Sequence, residues 1–214
     1  MVRKLIVNAA DIPDRSLAES LNTLQLAFDL ERIAEKNIAL ADVVEYYQQS
    51  DDAYRLFHCS DGALHLALNR NGSFDPAGYY AQAEFVERHI ESATAGAAQR
   101  ILEAGCGNGF NTLHLARRHP QCRFVGVDLT CQHVAAARKA ADGLANVEYL
   151  QGNYEALGFP DEAFDVAFGV ETFCQTADMR LALAEMHRLL RPGGRLVVVD
   201  CFRDCILDTS VKFR

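Results

Sequence analysis

One stretch constrains the fold more than any other: Arg100-Ile-Leu-Glu-Ala-Gly-Cys-Gly-Asn-Gly-Phe-Asn-Thr-Leu-His-Leu-Ala116. It reads as a short buried strand around Ile101 and Leu102, a tight glycine loop, and an amphipathic helix carrying Leu113 and Ala116. Gly105, Gly107 and Gly109 alternate with other residues. The backbone can therefore turn sharply there and approach a ligand with no Cβ in the way. The loop ends on a helix N-terminus, where backbone N–H groups are free.

A glycine loop between strand and helix points to a nucleotide-like ligand, and the spacing selects among ligands. The dinucleotide fingerprint requires Gly-x-Gly-x-x-Gly. Counted from Gly105 and Gly107, its third glycine falls on Phe110. Counted from Gly107 and Gly109, it falls on Thr112. The pattern present is Glu103-x-Gly105-x-Gly107-x-Gly109. An acid two residues ahead of the first glycine is expected to point toward the loop, where it suits a ligand ammonium and repels a pyrophosphate. This pattern resembles motif I of the class I S-adenosylmethionine-dependent methyltransferases.

The following hundred residues extend the resemblance. Cys122 to Asp128 predicts a second strand, with Asp128 at its end, 19 residues past Gly109. A doubly wound fold places an acid against a ribose at that spacing; the other reading is an acid favourable to the next helix dipole. A helix over Thr130–Asp142 closes at Gly143, and Val147 to Gly152 predicts a third strand. Asn153 and Tyr154 follow it. In the family the residue matching Asn153 bonds the adenine amino group, while the alternative is a polar turn. The resemblance implies cofactor contacts also for Cys106, Asn108 and Leu129, and for Gly169 at the end of strand four. Phe159-Pro-Asp-Glu-Ala-Phe164-Asp-Val is typical of the family. It leads into that strand and then into Glu171-Thr-Phe-Cys-Gln, which is similar to the strand-four end of sterol-type C-methyltransferases. Glu171 is thereby the candidate catalytic residue, taking a proton from the acceptor or stabilising positive charge there. Its alternative is a helix-cap or surface carboxylate. A helix from Asp178 to Leu190, buried on Met179, Leu183, Met186 and Leu190, and a fifth strand, Arg195 to Asp200, complete the pattern.

Ahead of the loop, residues 1–92 are expected to form a helical extension and lid, and residues 93–214 the Rossmann-like core. Leu17, Leu21, Leu24, Phe28 and Ile33 recur at helical spacing, predicting a helix to about Ala41 that packs on the core in preference to a dimer seam. Helices over Asp42–Gln49, with Val43, Tyr46 and Tyr47 on one face, and over Ala81–Ser92, with Phe85, Val86 and Ile90 on one side, follow. The order Glu45-Tyr46-Tyr47, Tyr54-Arg-Leu-Phe-His58, Gly62-Ala-Leu-His65 resembles the lead-in of the sterol and tocopherol methyltransferases. The resemblance implies that Tyr46, Tyr47, Tyr54, His58 and His65 line an acceptor pocket; any one of them alone reads better as a core aromatic, and only the cluster as a whole fits a pocket wall equally well.

The expected fold is α/β, a doubly wound and mostly parallel sheet covered on both faces. Only 14 residues follow Asp200. Family strands six and seven are therefore expected to be missing, through a shortened chain or an incomplete sheet. An exposed fifth strand would favour association into a homo-oligomer. The net charge of −8 and the lack of a Lys/Arg stripe weigh against nucleic acid. No apolar run reaches membrane length, and the N-terminal apolar stretch is too short for a signal peptide. Seven cysteines without a close-spaced framework fit a reducing cytoplasm and no metal site. The leading expectation is a methyltransferase using S-adenosylmethionine, leaving S-adenosylhomocysteine, on a small and partly apolar acceptor. A non-catalytic cofactor-binding or assembly domain and a dinucleotide-dependent oxidoreductase are the alternatives.

Overall fold

A computed structural model describes residues 39–69, 72–94 and 99–201, together with Glu19 and Leu26. Contacts divide the chain into two units between Ile38 and Ala39, and the described helices and strands lie in the second. The N-terminal stretch, the helix expected from Leu17 up to residue 38, and the chain after Cys201 lie outside the described residues.

The elements are α1 (Leu40–Ala53), α2 (Ala81–Thr94), β1 (Arg100–Ala104), α3 (Phe110–Arg118), β2 (Arg123–Asp128), α4 (Cys131–Ala140), β3 (Val147–Gln151), β4 (Phe164–Val170), α5 (Met179–Leu189) and β5 (Leu190–Val199). The sheet order is β3-β2-β1-β4-β5, and every pairing is parallel. β1 is central and buried from Ile101 to Ala104. That burial explains its continuous apolar run, because a parallel strand is covered on both faces. The chain reverses direction across the sheet between β1 and β4, which opens a crevice at the carboxyl ends of those strands.

Side-chain parity divides the core. Ile101, Phe124, Val166 and Phe168 pack with Val86 and Ile90 of α2 and Leu115 of α3. Leu102, Ala104, Val125 and Ala167 pack with Ala182, Met186 and Leu189 of α5. An ion pair joins α2 to α3 on the first side: Glu87 accepts from Arg118 Nε at 2.6 Å and His119 Nε2 at 2.8 Å.

Two helix faces differ from the sequence expectation. In α5 the buried stripe is Ala182, Glu185, Met186 and Leu189, whereas Met179 and Leu183 are exposed. Glu185 can occupy that stripe because Arg188 and Leu157 N–H satisfy its carboxylate. In α2 Val86 and Ile90 are buried, but Phe85 turns outward, under the Arg88 guanidinium. The buried stripe is Gln82, Ala83, Val86, Glu87 and Ile90, so Phe85 falls beside it. α1 extends beyond the expected Asp42–Gln49 and continues into one wide turn, Tyr54–His58.

Candidate functional site

Four strand ends and the segment 62–66 meet at one crevice. The glycine loop leaves β1 with φ of +68° at Gly105, +50° at Gly107 and +83° at Gly109. A side chain at Gly107 would be strained in that left-handed conformation and would also press within 2.8 Å of Leu64 Cδ1. At Gly105 it would overlap the Thr172 hydroxyl. The glycines thus let segments from two other parts of the chain close down on the loop.

Asp128 organises the loop. Its Oδ2 accepts from Gly107 N–H at 2.8 Å, and its Oδ1 accepts from Thr130 N–H at 2.8 Å. His133 Nδ1 donates to Oδ1 at 3.3 Å. The His133 ring, 2% exposed, stands edge-on to Tyr47 at 5.1 Å. Tyr47 reaches in from α1, where its hydroxyl accepts from Gln175 Nε2 at 2.8 Å. Burial pushes the Tyr47 phenol up to about 12, so it stays neutral at physiological pH.

Glu103 is a correction. Its carboxyl is 1% exposed and does not line the crevice. It accepts from Thr112 N–H at 3.0 Å, from the Thr112 hydroxyl, and from Asn111 Nδ2 at 3.2 Å. It therefore caps the first turn of α3 and does not face a ligand ammonium. Burial pushes its pKa up to about 7, against the pull of those hydrogen bonds.

The other expected residues divide clearly. Gly105, Cys106, Gly107 and Asn108 line the crevice, as do Asp128, Leu129, Asn153, Tyr154 and Glu171, with Tyr47 and His65 from the N-terminal segment. Gly109 and Gly169 do not; the first is the N-cap of α3 beneath Tyr149, the second lies in β4 under Phe173. Tyr46, Tyr54 and His58 also stand outside it. The Tyr46 and Tyr54 hydroxyls bond each other at 3.1 Å, and His58 Nε2 bonds the His65 carbonyl at 2.9 Å. Asn153 Oδ1 accepts from Glu155 N–H at 2.9 Å, so the polar-turn role is present. The Tyr154 hydroxyl donates to the Thr172 carbonyl at 3.0 Å.

Glu171 follows β4 at φ +48°, a conformation costing a non-glycine residue about 1–2 kcal/mol. Its N–H donates to the Val199 carbonyl at 2.7 Å. Its carboxylate accepts from Leu66 N–H, at 3.2 Å to the nearer oxygen, and from Gln82 Nε2 at 2.6 Å.

Sequence reasoning missed Leu64, Thr172, Gln175, His133 and Gln82. His133 carried one available signal: it lies five residues past Asp128, on the first turn of α4, close enough to reach back to the strand end. Among the described residues no lysine or arginine lines the crevice, and its two acids are Asp128 and Glu171. Such a lining suits a cationic nucleoside and disfavours a pyrophosphate. The donors and acceptors present fit S-adenosylmethionine: a carboxylate at the end of β2 for ribose hydroxyls, an amide beyond β3, and a glycine loop.

The fold is a Rossmann-like parallel sheet of the kind found in methyltransferases, with a crevice at its strand ends. Residues 102–198 match the family described as a methyltransferase domain. A demethylmenaquinone methyltransferase of Thermus thermophilus is 39% identical over 137 residues, 62% of this chain and 59% of that protein. A fatty-acid O-methyltransferase of Mycolicibacterium smegmatis is 34% identical over 102 residues, 48% of this chain and 37% of that protein. The chain thus spans about half the length of these relatives. The crystal structure of the [4+2]-cyclase SpnF superposes with a TM-score of 0.63 at 24% identity, covering 73% of this chain and 58% of that one; this likeness shows the fold.

Proposed function

We propose that this protein transfers the methyl group of S-adenosylmethionine to a small, partly apolar metabolite. The observation that carries the reading is the crevice itself, with carboxylates at Asp128 and Glu171, no facing lysine or arginine among the described residues, and walls of Tyr47, Leu64, Phe110 and Val170. When bound, the cofactor supplies an activated methyl group on a sulfonium. The chain then has to hold the reactants in line and exclude water. Asp128 would receive the ribose hydroxyls, the loop from Gly105 to Asn108 the amino-acid end, and Asn153 with Tyr154 the base. Glu171 would take a proton from the acceptor or stabilise positive charge forming on it. The substrates named for the two relatives, demethylmenaquinone and a fatty acid, support an apolar acceptor. The net charge of −8 supports a small molecule in preference to nucleic acid. The six described cysteines are unpaired, which fits a reducing cytoplasm. No described helix is long and apolar enough to cross a membrane.

Calorimetry should show uptake of S-adenosylhomocysteine and none of NADH. Uptake of NADH alone would revive the oxidoreductase reading. Turnover of a labelled methyl donor by the longest natural form of the protein separates an enzyme from a cofactor-binding module. In Glu171→Gln, turnover is expected to fall about 100-fold or more, with affinity for S-adenosylhomocysteine nearly retained. Unchanged turnover would leave Glu171 a purely structural role.

A further inference from the structure

The segment over the glycine loop is held by one buried amide. Gln82, on the first turn of α2, is 1% exposed. Its Nε2 donates to Glu171 Oε1 at 2.6 Å and to the Leu66 carbonyl at 2.9 Å, and stands 3.3 Å from His65 Nδ1. The Leu66 N–H in turn donates to Glu171. Both backbone polar groups of one residue are thereby fixed, while the Leu66 side chain is 60% exposed and gains little from packing. Beyond it, Leu68 N–H is bonded independently to the Gly78 carbonyl at 3.0 Å. His65 completes the set. Its Nε2 faces Asn111 Oδ1 at 3.2 Å, and its Nδ1 lies 3.2 Å from the Leu66 carbonyl, beside the Gln82 amide. A buried amide with this many partners is costly to leave half-satisfied, which argues for a role in fixing geometry.

The position of the clamped peptide gives it a function. Leu64 lies two residues away, against Gly107. With the segment down, the crevice measures about 90 Å³, below the roughly 300–1,000 Å³ typical of small-molecule sites. Lifting this segment makes room for a nucleoside carrying an amino-acid tail, and lifting breaks the bonds to Leu66. We propose that Gln82 is a positioning residue, clamping the Glu171 carboxylate and the Leu66 peptide together so that the segment 62–66 gates exchange of the nucleoside ligand. Its effect is on the orientation of Glu171 and on the rates at which the site opens. The inference rests on the proposed function only for the identity of what passes through the crevice.

Amide hydrogen exchange on the unliganded protein tests the clamp without reference to any ligand. In Gln82→Leu, which keeps the side-chain volume, protection of Leu66 N–H is expected to fall about tenfold. Leu68 N–H and the β1 amides should be unchanged, which also reports that the variant folds. Stopped-flow mixing with S-adenosylhomocysteine should show association and dissociation both faster, by a similar factor. Glu171→Ala should reproduce these changes, and the double variant should be no faster than the quicker single one, because both remove the same contact. Unaltered Leu66 protection in Gln82→Leu, or rates that multiply in the double variant, would overturn the proposal. If S-adenosylhomocysteine fails to bind at all, the function reading fails while the exchange measurement still decides the clamp.

Discussion

Asp128→Ala is expected to abolish measurable uptake of S-adenosylhomocysteine and to destabilise the protein by about 3 kcal/mol. Both effects come from one carboxylate. Three donors converge on it: Gly107 N–H, Thr130 N–H and His133 Nδ1. The residue is 9% exposed, so water replaces those bonds poorly. A buried donor left without its acceptor costs about 1–3 kcal/mol, and some relaxation around the new space will offset part of the total. The ligand effect is separate. Two ribose hydroxyls bonded to a charged acceptor are together expected to contribute on the order of 100-fold or more in affinity. Asp128→Asn separates the two roles. Its amide keeps the shape but turns an N–H against either Gly107 or Thr130, so stability should fall less than in alanine while affinity still drops. Urea denaturation gives the first quantity and calorimetry the second. An alanine variant that binds S-adenosylhomocysteine as tightly as the natural protein would remove the sugar from this carboxylate.

The glycine loop, the parallel strands and the strand-end positions of Asp128, Asn153 and Glu171 were legible because each depends on a local rule. Positive φ favours glycine, parallel strands read as continuous apolar runs, and open α/β sheets bind ligands at their carboxyl ends. Glu103 was misread, although parity offered the answer. Ile101 belongs to the face covered by α2 and α3, so the side chain two residues later turns to that same face and meets Asn111 and Thr112. The stripe on α5 was misplaced because Ala182 and a salt-bridged Glu185 fill positions that hydrophobicity alone would give to Met179 and Leu183. The stretch from Gly62 to Leu68 was the least legible part. It has no periodicity to read, and its contacts are non-local: His65 meets a partner 46 residues away, and Leu66 one 105 residues away. Gln82 escaped notice for a related reason. Amphipathic patterns reveal which apolar residues are buried, but not which buried amide links three segments.

The same misread acid leads to the second large effect, on stability as a function of pH. The Glu103 carboxyl in the folded protein is raised from 4.5 to about 7, with burial as the leading cause. Between those values the folded chain holds a proton that the unfolded chain has released. Stability must therefore fall as pH rises through that window and level off above it. A shift of this size corresponds to about 3 kcal/mol at most. Other groups act in the same range. His65 is held below its ordinary value by burial, so its contribution rises with pH as the unfolded imidazole loses its proton, opposing the trend of Glu103. The paired carboxylates Glu87 and Glu185 are lowered and titrate under more acidic conditions. Comparing the natural protein with Glu103→Gln cancels these terms to first order. The glutamine imitates the protonated acid: its carbonyl can accept from Thr112, and it carries no charge to bury. Measured by urea denaturation at intervals from about pH 5 to about pH 8, the stability of the variant relative to the natural protein is expected to climb steadily until about pH 7. A difference that stays flat would mean that Glu103 is ionised throughout, with Thr112 and Asn111 fully compensating its burial. A steady climb would mean that the turn beneath the glycine loop is built around an acid that keeps its proton below neutral pH.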